Sequence, residues 1–414
     1  MPSSSGVTTP ETLPADVRVH IVGAGPVGLM LAALFQPMER FAVQLYEKRR
    51  EYTRTRMVQL RDYLVADSVA SYCTDYIDGE SVEALFDAEE LDEGLAFRQS
   101  IPADLMALLR TWVRGFCPLN AVERSLSELI DTRGTREVRR TAGVVTAADA
   151  TAMLKPGDIL IDSTGKHSLL RDRLVPGDGR PGANTFRVRL EYAIMVTFLY
   201  DQAYECNEYC KFYKNIENVY YKFIPAVNRT FHDGDITHVT GIVNISEDDY
   251  ERMPPQFDGQ WLRANFPYIA QSMDRFIRKV DTETGGHMIG DLEIVRIPMQ
   301  LYHARNATSR PWHRAGAAAG DHPFARSPVF LAGDSAVGSP YFQSISLGLE
   351  CAMFLAGLLA QRDLPLRDLL DRYELYAYKQ WLRVYMRSKM IKHNKDVFEV
   401  LGDNFAALEM LHIY

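Results

Sequence analysis

The chain is short of cysteine, of basic excess and of long apolar runs, and each shortage excludes something. Its five cysteines, Cys73, Cys117, Cys206, Cys210 and Cys351, are few for 414 residues and odd in number. That count argues for a reducing compartment and against a disulfide framework. Cys206 and Cys210 form the one close pair; with no second pair and no histidine at ligand spacing, they read as two thiols on or beside a strand, not as a metal site. No stretch of 18 apolar residues lacks a charge, so no membrane-spanning helix is expected. The opening MPSSSGVTTPETLPAD lacks the basic start and apolar core of a signal peptide, so residues 1–16 read as a loose tail and the protein as cytoplasmic. Acidic residues outnumber basic ones, 54 to 46, for a net charge of −8, which leaves no footprint for nucleic acid.

What is present is ordinary globular composition, 47% hydrophobic and 24% charged, with length enough for two interlocked domains or one large one. VRVHIVGAGPVGLMLAALF reads as a β-branched strand, a glycine turn and an apolar helix, and FAVQLYEKRR as a second strand ending in an acid and basic residues. Residues 58–130 read as mostly helical, with VQLRDYLVADSVASYC and AVERSLSELID as the clearest periodic segments. DILIDSTG is a buried strand running into a turn. From 184 to about 245, aromatic and β-branched runs broken by polar turns predict an antiparallel sheet. Helical segments, a strand (DLEIVRIPMQLYHA), a second buried strand and turn (VFLAGDS) and apolar and long C-terminal helices complete the chain.

Gly23, Gly25 and Gly28 form G-x-G-x-x-G between strand and helix, and Glu47 follows about 20 residues on at the end of the second strand. Glycines there permit a tight turn and let amides at a helix N-terminus approach a pyrophosphate, while the acid can accept ribose hydroxyls; Pro26 and Val27 lie within the turn. A second match, Gly177, Gly179 and Gly182, follows a helix and contains Pro181, and reads as a surface turn.

The order of glycine fingerprint, DILIDSTG and VFLAGDSAVGSPYF followed by an apolar helix resembles the class A FAD-dependent monooxygenases and their aromatic-hydroxylase and epoxidase relatives, from about residue 17 to 400. The resemblance implies an α/β fold: a Rossmann-like FAD-binding domain (17–75, 105–182 and 325–365), an inserted antiparallel-sheet substrate domain (76–104 and 183–324) and C-terminal helices (366–414). It implies FAD contacts from Gly333 and Asp334 to the ribityl chain, Pro340 beside the ring, and a helix N-terminus at Ser346 facing the pyrimidine end, where its partial positive charge would favour a reduced anionic flavin. It implies Arg56 near the phosphates and Arg124 or Asn120 at the flavin edge; Lys48 is a further cofactor candidate, and Lys48 and Arg54 otherwise read as solvated surface charge.

Two departures stand out. The usual Ala-Asp-Gly reads Ser163-Thr164-Gly165 after Asp162, so a hydroxyl replaces a carboxylate; Asp162, Thr164 and Gly165 remain cofactor candidates, with Thr164 otherwise capping its own turn. The usual Asp-Ala-Ala-His reads Asp334-Ser335-Ala336-Val337, and Gly-Gln-Gly reads Gln343-Ser344-Ile345, a less flexible turn that bears on flavin movement. The Trp-x-Trp-x-Ile-Pro motif of flavin-dependent halogenases is absent.

The activity implied is oxygen-dependent hydroxylation or epoxidation of a bulky apolar or aromatic small molecule through a flavin C4a-hydroperoxide, in specialised metabolism, with electrons from NAD(P)H or a separate flavin reductase. The alternative is a non-redox cyclase or isomerase using FAD as scaffold. Tyr209, Phe212, Tyr221 and Phe223 are candidate substrate-wall aromatics. Tyr302 and His303 are weak catalytic candidates. Lys379, Arg383, Arg387, Lys389, Lys392 and Lys395 read as a solvated helix face, or as a docking surface for an acidic reductase or carrier protein.

Overall fold

The computed structural model describes residues 12–54, 57–67, 97–114, 116–134, 136–175, 184–202, 221, 223–225, 231–233, 236–310, 324, 327–340 and 344–401. Strand β1 (Val17–Val22) turns at Gly23 into helix α1 (Pro26–Phe35), which leads to β2 (Phe41–Glu47). All of α1 from Gly28 to Phe35 is buried, as an unbroken apolar helix between layers must be. Next come a short strand β3 (Met57–Gln59), α2 (Ala103–Val113), β4 (Phe116–Pro118), α3 (Leu119–Thr132), β5 (Arg139–Ala142), α4 (Ala147–Met153) and β6 (Ile159–Asp162). A single turn of helix, α5 (Arg171–Leu174), precedes the long strand β7 (Thr185–Tyr200).

The antiparallel unit continues with β8 (Phe223–Pro225), β9 (Phe231–Asp233) and β10 (Ile236–Ile245), then α6 (Glu247–Arg252), β11 (Gln256–Asp258), α7 (Gly259–Asn265), α8 (Pro267–Thr284) and the long strand β12 (Met288–Ala304). Strands β13 (Val329–Leu331) and β14 (Val337–Gly338) and helices α9 (Ser344–Ala360) and α10 (Leu366–Leu401) follow.

The α/β architecture read from the sequence is present. A five-stranded parallel sheet has the order β13-β6-β1-β2-β5, assembled from three separated stretches of chain. A second, antiparallel sheet has β11-β12-β7-β10-β8 along its main path. Each sheet has its own apolar core. Around the parallel sheet, α1, α3, α9 and the start of α10 bury Ile21, Leu31, Val122, Ile161, Leu355 and Tyr373. Against the antiparallel sheet, α7 and α8 bury Leu262, Met273 and Phe276 on Ile194, Val196 and Phe198. Period-2 alternation sends Ala193, Met195, Ile242, Val295 and Ile297 to the opposite face, where Ala193, Ile242 and Met299 form a small separate cluster.

Several local expectations change. Residues 58–67, expected to be helical, instead form the end of β3 and a 3₁₀ turn (Asp62–Val65), because β3 finds a partner in β4. The tail is anchored where it is described: Leu13 is buried in the first core, and Arg40 donates to the Pro14 carbonyl at 2.9 Å. The C-terminal basic face is not uniformly solvated, since Arg383 is buried beside the equally buried Glu350. No described helix is long and apolar enough to cross a membrane. Cys206 and Cys210, and the Gly177, Gly179 and Gly182 turn, lie outside the described residues.

Candidate cofactor site

The carboxyl ends of β1, β6 and β13 meet, and their turns interlock. This is where an open parallel sheet presents loops and helix N-termini to a ligand. A Cβ on Gly28 would stand 1.9 Å from the Gly23 carbonyl oxygen and 2.7 Å from Ser163 Oγ, so only glycine lets α1 start this close to the turn. The Ser163 hydroxyl donates toward the Val22 and Gly23 carbonyls at 3.0 and 2.8 Å, tying the β6 turn to the β1 turn. Gly333 has φ +59°, and a Cβ there would meet Val27 at 2.8 Å. Val27 thus wedges the β13 turn against the first turn of α1.

Asp162 ends β6 directly before the Thr164 turn. Its side chain is fully buried and accepts from the Thr164 amide (3.0 Å) and hydroxyl (2.6 Å), from Ser168 Oγ (2.5 Å) and from Ser335 Oγ (3.2 Å). Ser335 Oγ in turn accepts from the Gly165 amide at 2.9 Å. The carboxylate joins the β6 and β13 turns and leaves Thr164 to present its backbone. Such a group holds the wall in shape from behind.

In front of these turns lies a cleft of about 560 Å³. Its lining includes Gly23, Gly25, Pro26, Val27, Glu47, Lys48, Thr164, Gly165 and Asp334, all singled out from the sequence. Glu47 Oε2 accepts from the Ala24 amide at 2.8 Å, and Oε1 from the Arg49 amide and Nε at 2.9 and 3.1 Å. Burial alone would raise the Glu47 carboxyl, but the bonds from Arg49 and Ala24 outweigh it and hold the group below the ordinary carboxylate range. It is therefore an anionic acceptor at the end of β2.

The cleft also gathers residues that sequence reasoning missed. Arg49 and Arg54 line it, with Arg54 Nη2 3.5 Å from where a Cβ on Gly25 would lie. Arg54, whose sequence suggests solvated surface, is a cleft residue, and the signal for it is its closeness to Glu47 in sequence. Val144 and Val145, after β5, line the same cleft, as do Lys166, Leu169 and Ile345. Burial, then the nearby Arg187, lowers the Lys166 pKa, while Asp334 opposes the shift.

Other expected site residues lie elsewhere. Arg56, Tyr209 and Phe212 fall outside the described residues. Arg124 points away, donating to the Tyr52 carbonyl at 3.2 Å, because its helical neighbour Glu123 takes the inward position. Ser346 is buried and accepts from the Arg61 amide, leaving Ile345 as the α9 residue at the cleft. Pro340 is buried outside the lining. Phe223 is core, edge-on to Phe276 at 4.7 Å, and Tyr221 donates to Asp249 at 3.1 Å; both belong to the helix-covered side.

Tyr302 and His303 are structural in placement. The Tyr302 hydroxyl donates to the Asp334 carbonyl, its ring occupies the space a Cβ on Gly338 would need, and Arg171 lies 5.5 Å above it. Burial pushes its phenol well above the ordinary range, so it stays protonated. His303 packs against Trp381 and Phe186, outside the cleft lining.

No protein-family profile matches this sequence, and no curated protein does. Among solved structures, the chain is similar to PyrE3, a Diels-Alderase in the biosynthetic pathway of pyrroindomycins, with a TM-score of 0.51 and 16% identity over 96% of this chain and 78% of that one. The two share a fold. Also similar are CmlS, a flavin-dependent halogenase (TM-score 0.48, 13% identity, 94% of this chain and 66% of that one), and a variant of 2-methyl-3-hydroxypyridine-5-carboxylic acid oxygenase (0.41, 12%, 96% and 92%).

Proposed function

We propose that this chain is an FAD-binding enzyme that hydroxylates or epoxidises a bulky, largely apolar small molecule with molecular oxygen. The observation that carries this reading is the convergence of three distant turns, through Gly23, Gly25, Pro26 and Val27, through Ser163, Thr164 and Gly165, and through Ala332 and Asp334, on one cleft that also contains Glu47. The residues fit a dinucleotide: Gly25 lines the cleft and presents no side chain where phosphates would approach, Arg49 and Arg54 supply positive charge, and Glu47 is an anionic acceptor for ribose hydroxyls. Asp334 would hold the ribityl chain, and the N-terminal end of α9 at Ile345 would face the ring. The FAD-binding unit would then comprise 17–75, 105–182 and 325–365, and the substrate unit 76–104 and 183–324.

Bound and reduced, FAD supplies activation of molecular oxygen. This chain's residues bind, orient and exclude water. The apolar face bearing Ala193, Met195, Ile242, Val295 and Ile297 belongs to the sheet whose β12 ends on the Asp334 turn, with Tyr302 and His303 paired to Gly338 and Val337. A substrate held against that face would be apolar and oriented by shape. Electrons would come from NAD(P)H or a separate flavin reductase.

A second reading has its own support. The turn at Asp334 is clamped by Tyr302 and by Arg171, which donates to the Ser335 carbonyl at 3.1 Å, and one solved structure with the same fold is that of a Diels-Alderase. A held FAD serving as scaffold for a non-redox cyclisation or isomerisation would use such a clamp.

The test is anaerobic. Protein reconstituted with FAD is mixed with NADPH or NADH and apolar candidate substrates, and absorbance is followed near the oxidised-flavin band at about 450 nm. Bleaching, followed by substrate-dependent oxygen uptake on aeration, is expected for the monooxygenase. Product formed without reductant or oxygen supports the cyclase. No FAD binding at all would overturn both readings.

A further inference from the structure

Glu123 lies on α3, and its side chain is fully buried. One oxygen, Oε1, contacts both cleft arginines: Arg54 Nη2 in a close ion pair, and Arg49 Nη2 at 3.5 Å. The other, Oε2, is buried and has no hydrogen-bond partner among the described residues. Burying a carboxylate is costly unless it is paired, so a carboxylate spending one oxygen on two guanidiniums needs a reason. The arginines supply one. Their side chains remain 30% and 38% exposed, so each keeps donors for the cleft, and Arg54 already lies over the glycine turn.

Two cations at one turn repel each other and, left to themselves, would point apart into water. Glu47 restrains Arg49 from one side through its Nε. Arg54 has its ion pair to Glu123. We propose that Glu123 is a positioning residue: a buried counter-charge that sets Arg49 and Arg54 as a preformed clamp for the diphosphate of a dinucleotide. The inference rests on the FAD reading for the identity of the ligand, while the diphosphate chemistry stands on the arginines and the turn.

The sign of one substitution separates this role from simple charge neutralisation. Glu123→Gln removes a negative charge beside the phosphate site. If Glu123 merely competed with phosphate for the arginines, the variant would bind FAD and ADP more tightly. As a positioning residue, its loss weakens both by about tenfold or more, the effect of misplacing one charge-assisted hydrogen bond. In an Arg54→Gln background, the further change Glu123→Gln should then cost less than it does in the wild-type protein, since one of the two groups being positioned has gone.

Affinities are measured by titration calorimetry with ADP and by quenching of flavin fluorescence with FAD, with circular dichroism as the check on folding. Should Glu123→Gln fail to fold, Glu123→Asp takes its place: it keeps the charge but is one methylene short, and the expected loss is the same in sign for both ligands. Unchanged or tighter binding by the folded variant overturns the clamp and leaves the FAD reading intact. Wild-type protein that binds ADP but not FAD overturns the FAD reading, with the clamp then judged on ADP alone. Wild-type protein that binds neither overturns both.

Discussion

Asp162 carries more of the site than any residue that touches the cleft. Four donors from the segments that follow β6 and β13 converge on its carboxylate, at 2.5 to 3.2 Å. Asp162→Ala would leave the hydroxyls of Thr164, Ser168 and Ser335 without their acceptor, at a cost of about 2–5 kcal/mol in unfolding free energy. Restoring the acid at the next motif position should also fail. Thr164→Asp would put a second carboxylate where a hydroxyl now donates to the first, and like charges at that distance, one of them on the buried Asp162, repel. The expected outcome is a lower urea midpoint and weaker FAD binding; a midpoint equal to wild type would mean that Asp162 does not organise the turn. Gly28→Ala should abolish FAD retention, because its Cβ would sit inside the Gly23 carbonyl. Protein that stays yellow after desalting would contradict that.

At the scale of elements, the strand bundle around β1 carries a buried pH-sensitive link. His20 lies in the middle of β1, its Nδ1 3.0 Å from the Tyr46 hydroxyl on β2 and its Nε2 3.3 Å from Asp158 just before β6. Burial lowers its pKa below 6.5, with Asp158 opposing the shift. His303, packed between β12 and α10, is lowered by burial as well. A histidine with a depressed folded pKa binds fewer protons than the unfolded chain once the pH drops below 6.5. The histidine contribution to stability should therefore fall as pH is lowered from about 6.5 toward the folded pKa, and be flat at pH values above about 6.5. Urea midpoints at pH 7.5 and 5.5 measure this, and His20→Gln should shrink the difference. An unchanged difference in the variant would assign the effect to other groups.

The described residues form two large apolar cores, one on each sheet, joined where β12 runs into the Asp334 turn. Ligand binding at the parallel-sheet cleft should stabilise the unit that forms it by mass action, by about 2.7 kcal/mol at a hundredfold excess over Kd. Thermal unfolding with increasing FAD should then show a rising transition temperature, with any transition of the antiparallel unit moving less. A temperature independent of FAD concentration would place the cofactor outside this cleft or deny it altogether.

Local pattern determined much of this protein. The strand-glycine-helix run with Glu47 in register fixes the first βαβ unit, because the tight turn, the buried helix and the terminal acid are all set within thirty residues. The alternation in β7, β10 and β12 likewise announces an antiparallel sheet, through a period that any half-buried strand must show. Tertiary structure decided what those patterns could not. Residues 58–67 became strand and turn because a distant segment at 116–118 offered β-pairing. Arg54 became a cleft residue, and Arg124 an outward one, because α3 turns Glu123 inward and its charge draws the arginines over the glycine turn. Thr164 became a donor to Asp162, which faces the interior two residues earlier and also collects the Ser335 hydroxyl from 173 residues away in sequence. Hydrogen bonds and ion pairs of that span depend on which segments fold against one another, and a linear pattern carries no record of it.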